Sequence, residues 1–289
     1  MTAAKRWTAP AKVNLYLHVL GRRDDGYHDL DSLVVFPQFG DVLDVAAADE
    51  LRLTLDGPFA DGLPDSGDNL VLRAAALLAD AAGVPAHAAI RLRKNLPVAA
   101  GIGGGSADAA AALRALAAHW RLPFDAATLQ GLAGRLGADV PVCLCGRPAR
   151  IGGIGHRVRP IGPMPSFALL LANPGLTVST AAVFQQLDAV SRAAAPPRQS
   201  YDSVADLAMD LQARGNDLEA PARRLVPSID RVIGRLGDLP GCRLARMSGS
   251  GATCFGLFDD LAAAGAAAAA LAEAEKRWWL RAAIVAGTG

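Results

Sequence analysis

The chain has 289 residues, 52% of them hydrophobic and 20% charged, with a formal net charge of +1. That length and composition describe a globular protein with a sizeable core and room for one large or two modest domains, not a disordered chain. Near-neutral charge gives no whole-molecule attraction for nucleic acid or an anionic membrane. The apolar run 261–271 is about half of the ~20 residues a spanning helix needs. The N-terminal stretch Met1-Thr2-Ala3-Ala4-Lys5-Arg6-Trp7 lacks the apolar core of a secretory signal, so the expected compartment is the cytoplasm. Cys143 and Cys145 are separated by one residue and Cys242 and Cys254 lie far downstream. This is neither zinc nor disulfide spacing, and reduced thiols are expected.

In chain order, Val13, Leu15, Leu17 and Val19 alternate with Asn14, Tyr16 and His18, the period of a strand. Arg22-Arg23-Asp24-Asp25-Gly26-Tyr27-His28 reads as a turn-rich loop. Strands are expected at 41–45 and 51–55, and a helix over 69–82, stopped by Gly83 and Pro85. Residues 89–94 alternate apolar and basic, again as a strand. A helix over 106–118 and a second over 125–136, stopped by Gly137, precede short strands at 140–144 and 149–151. Pro160, Pro163 and Pro165 mark a composition shift. Beyond it come a strand at 167–171, loops and helices through Leu236, and an exposed polar loop at 190–200. Strands at 242–247 and 253–258, an alanine-rich helix and a last strand at 281–285 close the chain. The expected architecture is two α+β domains, 1–162 and 163–289.

The most informative stretch is Pro97-Val98-Ala99-Ala100-Gly101-Ile102-Gly103-Gly104-Gly105-Ser106-Ala107. Glycine lets a backbone turn tightly and approach a ligand, and a helix N-terminus offers unpaired N–H groups and partial positive charge. A strand, a glycine loop and a helix together fit a phosphate cradle; a flexible turn with no ligand is the plain alternative. No lysine follows Gly105, so the loop is not of the Walker type, and Ser106 stands where a dinucleotide fingerprint needs its third glycine.

Three further segments bear on this choice: Pro10-Ala11-Lys12-Val13-Asn14-Leu15, the second glycine turn Met247-Ser248-Gly249-Ser250-Gly251-Ala252, and Gly137-Ala138-Asp139-Val140-Pro141. Taken singly, these are a surface charge, a hairpin turn and a hydrogen-bonded carboxylate. Together, in this order, they resemble the GHMP kinases, the superfamily of galactokinase, homoserine kinase, mevalonate kinase and phosphomevalonate kinase. Asp25-Gly26-Tyr27-His28 and the very glycine-dense loop narrow the resemblance to the branch that acts on a cytidine diphosphate conjugate. Ala99, Ala107 and Val34 depart from it, standing where members carry glycine, serine and an aromatic residue; Phe36 is near enough in sequence to replace the last.

The resemblance implies a GHMP kinase-like α+β two-domain fold, with a ribosomal-protein-S5-type N-terminal domain and a ferredoxin-like C-terminal domain. It implies transfer of the γ-phosphoryl of ATP, with Mg²⁺, to the 2-hydroxyl of 4-diphosphocytidyl-2-C-methyl-D-erythritol, a step of non-mevalonate isoprenoid synthesis. Pro97, Val98, Ala99, Ala100, Gly101, Ile102, Gly103, Gly104, Gly105, Ser106 and Ala107 would hold ATP, with Ser106 also a candidate Mg²⁺ ligand and Asn69 at the adenine or capping its helix. Asp139 is the candidate base for the acceptor hydroxyl, or orients it, with Lys12 beside it stabilising charge. Tyr27 and His28 would take cytosine by stacking and hydrogen bonding. Asn14 would bind the polyol, with Thr180 and Phe184 near cytidine and Gly249 and Gly251 close to the substrate phosphates. The partners are then two small molecules, neither nucleic acid nor membrane, for a monomer or weak homodimer. Two other readings follow from the same features: another GHMP kinase, of homoserine or mevalonate type, or a non-enzymatic RNA-binding module of related fold. The second is disfavoured by low charge and an aromatic content of 5%.

Overall fold

The computed structural model describes residues 5–188, 194, 196 and 198–288. In chain order its elements are β1 (Lys5–Pro10), β2 (Val13–Arg22), β3 (His28–Val35), β4 (Gly40–Ala46), β5 (Leu51–Asp56), α1 (Leu70–Ala82), β6 (Ala88–Arg93), α2 (Gly104–His119), α3 (Ala126–Leu136) and α4 (Val140–Cys145). They continue with β7 (Ala149–Gly153), β8 (Arg157–Pro160), β9 (Phe167–Asn173), α5 (Thr180–Gln185), α6 (Val204–Gln212), α7 (Glu219–Leu225), α8 (Ser228–Gly237), β10 (Leu244–Met247), β11 (Cys254–Phe258), α9 (Leu261–Ala274) and β12 (Trp279–Val285). The chain forms two compact units, each assembled from separated stretches: 1–11, 39–98 and 103–146 in the first, 12–38, 99–102 and 147–289 in the second. This differs from a single cut at 162/163: residues 12–38, 99–102 and 147–162, with the sheet that β2, β3, β7 and β8 form, group with the later part of the chain.

The first unit is a four-stranded sheet in the order β1-β4-β6-β5, carrying α1 to α4. Its pairings are antiparallel except β5 with β6, whose parallel alignment requires the crossover that α1 supplies. Strand β6 turns Ala88, Ile90 and Leu92 inward and Arg91 and Arg93 outward. Helix α2 is buried nearly all round, from Ala107 through Leu113 and at Ala115, Leu116 and Ala117. Alanine suits that place: it is the best helix former and lets neighbours pack close. Helix α1 begins at its Asn69 cap, with the side chain accepting from Val71 N at 2.9 Å, and α3 begins at Asp125 in the same manner.

The second unit holds two antiparallel sheets, β2-β3-β7-β8 and β10-β11-β9-β12. The latter follows the ferredoxin-like order: β9 and β11 are central, and β10 and β12 lie at the edges. All seven residues of β9 are buried. Ala168, Leu170, Phe258, Ile229, Val232, Leu236 and Leu271 share one core cluster.

Four local readings need correction. Residues 140–145 form the helix α4, not a strand. Helix α2 begins at Gly104, with Gly103 as its cap, so Ser106 lies inside the first turn and not at its start. Strands β1, β3 and β8 add to those expected from the sequence pattern. Strand β10 begins at Leu244, after Cys242. The loop expected at 190–200 lies largely outside the described residues, as does the N-terminal Met1-Thr2-Ala3-Ala4. All four cysteines are free. No described helix is long and apolar enough to cross a membrane.

Candidate active site

In the first unit, the glycine loop leads from Pro97 and Val98 to the N-terminus of α2 through Gly103, Gly104, Gly105, Ser106 and Ala107. Gly103 is left-handed, at φ 64°, and its carbonyl opens the helix ladder by accepting from Ala107 N at 2.9 Å. The amides of residues 104–106 precede the first intrahelical bond and have no acceptor within the helix. A Cβ at Gly105 would meet only Leu70 Cδ1 at 3.6 Å, and at Gly104 its nearest neighbours would be 3.7 Å away. Neither position has a left-handed backbone, so nothing within the chain requires glycine at either place. Space kept open at a helix N-terminus is what a phosphate needs.

Beneath this turn lies a cluster that sequence spacing does not reveal. Lys94 Nζ lies 2.5 Å from both Asp41 Oδ2 and Asp108 Oδ2. Asp41 Oδ1 also accepts from the amides of Asn95 and Leu96 at 2.5 and 2.9 Å. Burial raises Asp108, with Asp41 adding to the effect against the pull of Lys94, to about 8. Burial lowers the Lys94 ammonium, but Asp108 and Asp41 outweigh it and hold the group above the usual lysine value.

Asp139 is half-buried at the N-cap position of α4, in the turn that Gly137 opens after α3. Its side chain makes no capping bond to that helix. Asn69 caps α1 and also donates to Pro64 O at 2.8 Å.

In the second unit, residues 99–102 form the first half of the glycine loop. Ala99 is left-handed at φ 50°, an uncommon state for a residue with a Cβ. The segment is clamped by backbone bonds: Lys12 N donates to Ile102 O at 2.9 Å and Thr253 N to Ala100 O at 3.2 Å. Ser248 Oγ donates to Gly101 O at 3.0 Å and accepts from Asn14 N at 3.1 Å. Gly101 and the second glycine turn interlock. A Cβ at Gly101 would fall 2.5 Å from Ser248 O, and one at Gly249 would fall 2.7 Å from Gly101 O. At Gly251 a Cβ would strike Met247 Sδ at 2.6 Å. Gly249 and Gly251 are buried.

The same unit brings several of the expected substrate residues together. Asp25 Oδ1 accepts from Tyr27 N at 3.1 Å, and Arg23 N donates to Tyr27 O at 2.8 Å, which builds the turn before β3. That turn leaves Tyr27 61% exposed, an aromatic face that the fold itself does not use. His28 stacks on Phe184, ring centroids 4.9 Å apart. Burial and the nearby Arg22 hold the His28 imidazole below its usual range, which favours the neutral ring with one donor and one acceptor nitrogen. Asn14 is buried and donates through Nδ2 to Ser32 Oγ at 2.8 Å, while its Oδ1 has no hydrogen-bond partner among the described residues. Such an orphaned acceptor awaits a donor. Thr180 Oγ1 and Ser250 Oγ share a hydrogen bond of 2.8 Å. Lys12 is 5% exposed. Asp31 is a buried carboxylate bound within the fold: Arg150 binds it at 2.6 and 2.7 Å and Tyr16 donates to it at 3.1 Å.

The family model described as GHMP kinases N terminal domain matches residues 69–147, and that described as GHMP kinases C terminal matches residues 188–277. A 4-diphosphocytidyl-2-C-methyl-D-erythritol kinase of Parvibaculum lavamentivorans is 52% identical over 282 residues, covering 96% of this chain and 97% of its own. The chain belongs to the GHMP kinase family. A kinase of the same name from Rhodospirillum rubrum is 52% identical, covering 94% of this GHMP kinase and 89% of its own length. Among solved structures, a 4-(cytidine 5'-diphospho)-2C-methyl-D-erythritol kinase aligns over 98% of this chain and 100% of its own at 38% identity, TM-score 0.76. The homoserine kinase of Cytophaga hutchinsonii aligns over 99% and 96% with TM-score 0.72 but only 18% identity, a likeness of fold alone.

Proposed function

We propose that this GHMP kinase transfers the γ-phosphoryl of ATP to the 2-hydroxyl of 4-diphosphocytidyl-2-C-methyl-D-erythritol, a step of non-mevalonate isoprenoid precursor synthesis in the cytoplasm. The observation that carries the substrate is near-full-length identity of 52% to kinases named for it. Homoserine kinase, whose acceptor has no cytidine, shares only the fold at 18%. The exposed Tyr27 and the His28 ring stacked on Phe184 support the same reading, since a pyrimidine is recognised by stacking and by its hydrogen-bonding edge.

Phosphoryl transfer asks a protein mainly for alignment and charge stabilisation. In this reading the amides of residues 104–106 and the α2 dipole hold the nucleotide phosphates. Asp139 accepts or orients the proton of the acceptor hydroxyl, and Lys12 stabilises the charge that develops. The unpaired Asn14 Oδ1 receives a hydroxyl of the polyol. A bound Mg²⁺ would supply positive charge to offset that of the phosphates. The half-buried Ser106 hydroxyl in the first turn of α2 fits it as a protein ligand, the remainder coming from phosphate and water. Among the described residues no group of three or more His, Cys, Asp or Glu forms a metal cage.

Coupled ADP-release assays with the cytidine-bearing acceptor, homoserine and mevalonate test the proposal. Turnover with the first alone is expected; activity restricted to either of the others overturns it. Replacing the base, Asp139→Asn should lower kcat by roughly 10²–10⁴ with little change in either KM. Near-full turnover would reduce Asp139 to an orienting role or none.

A further inference from the structure

The buried Lys94 stands between two carboxylates, Asp41 at the start of β4 and Asp108 in the second turn of α2. All three side chains are at most 5% exposed. A Cβ built on Gly104 would lie 3.7 Å from both Asp41 Oδ2 and Lys94 Nζ, so the cluster sits against the first turn of α2. Fully ionised, it would carry a net negative charge beneath a phosphate loop. Two features oppose that state: Asp108 Oδ1 has no hydrogen-bond partner among the described residues, and burial with the nearby Asp41 raises its pKa to about 8. The neutral acid at Asp108 leaves Lys94 and Asp41 to cancel. Buried ion clusters are weak stabilisers compared with apolar packing, and their best-attested use is to specify geometry.

We propose that the Asp41–Lys94–Asp108 cluster is the positioning device of the phosphate loop, tying the first two turns of α2 to the ends of β4 and β6. It thereby sets where the amides of residues 104–106 stand. This rests on the reading of that loop as the ATP phosphate site. The three residues touch no substrate; they act through the helix backbone.

Asp108→Ala and Asp108→Asn separate the roles, since the asparagine oxygen still accepts from Lys94. Asp108→Ala is expected to raise the KM for ATP about tenfold, the loss of one charge-assisted hydrogen bond. The KM for the cytidine-bearing acceptor should not move, and kcat should stay within about threefold; Asp108→Asn should return the ATP value to near wild type. Amide hydrogen exchange over residues 104–108 should be faster in the alanine variant than in the asparagine variant. If Asp108→Ala does not fold, Asp108→Ser serves in its place with the same expected shifts. An unchanged ATP KM with unchanged exchange overturns the proposal, as does a parallel shift in kcat and both KM values, which marks general loosening. Absence of ATP turnover in the wild type defeats the ATP reading instead, and the exchange comparison then decides the cluster's role by itself.

Discussion

The loop at 101–105 and the turn at 248–251 are both dense in glycine, yet their glycines answer different demands. Gly249 and Gly251 are left-handed, at φ 55° and 84°, and buried. An added Cβ would overlap backbone at the first and the Met247 side chain at the second. The same holds for Gly101, left-handed at φ 74° and packed on Ser248 and Gly251. Gly104 and Gly105 have helical backbones and only ordinary neighbours within the chain. One set of glycines serves the fold; in the proposed reading the other leaves room for a phosphate. A glycine count alone cannot tell the two apart, but the surroundings of the missing Cβ can.

Substitutions that add or remove atoms at these places sharpen the contrast. The largest effect is expected for Gly249→Ala, which combines a backbone overlap with a left-handed conformation that alanine resists. It should lose about 3 kcal/mol in denaturant unfolding, and wild-type stability would show that the interlock with Gly101 is dispensable. Ser248→Ala should lose about 2 kcal/mol, because it strips partners from two buried backbone groups, Gly101 O and Asn14 N. A loss below about 0.5 kcal/mol would mean that those groups find other partners. The smallest effect belongs to Ala99→Gly. It relieves a left-handed alanine but frees the unfolded chain, so the net change should be within about 1 kcal/mol, on the side of a gain. A clear loss would show that the Ala99 methyl packs usefully.

Much of this was legible in the sequence, for identifiable reasons. The caps Asn69 and Asp125 and the alternation in β2 and β6 are local signals that local physics enforces. Residues 140–145 misled because valine and cysteine in an apolar run suggest a strand. The opposing signals were present: Pro141 in the first turn and Gly146 as a left-handed stop both mark a helix. The interlock of Gly101 with Gly249 and the Lys94 cluster were not legible. Their members lie far apart in sequence, and no spacing rule relates Asp41 to Lys94 or Ser248 to Gly101. The sequence shows Gly249 and Gly251 as a glycine turn but not that an added Cβ at either would meet Gly101 O or Met247 Sδ.

The central claim, that Gly104 and Gly105 keep room for the ATP phosphates, is tested most directly by Gly105→Ala. Alanine is the better helix former by about 1 kcal/mol, and its methyl would meet only Leu70 Cδ1 at 3.6 Å. Unfolding and ATP affinity measured on the same variant should move in opposite directions. Stability should be equal or higher, while the Kd for ATP should rise about tenfold as the methyl displaces a phosphate from the amides. Lower stability with unchanged ATP affinity would contradict the account.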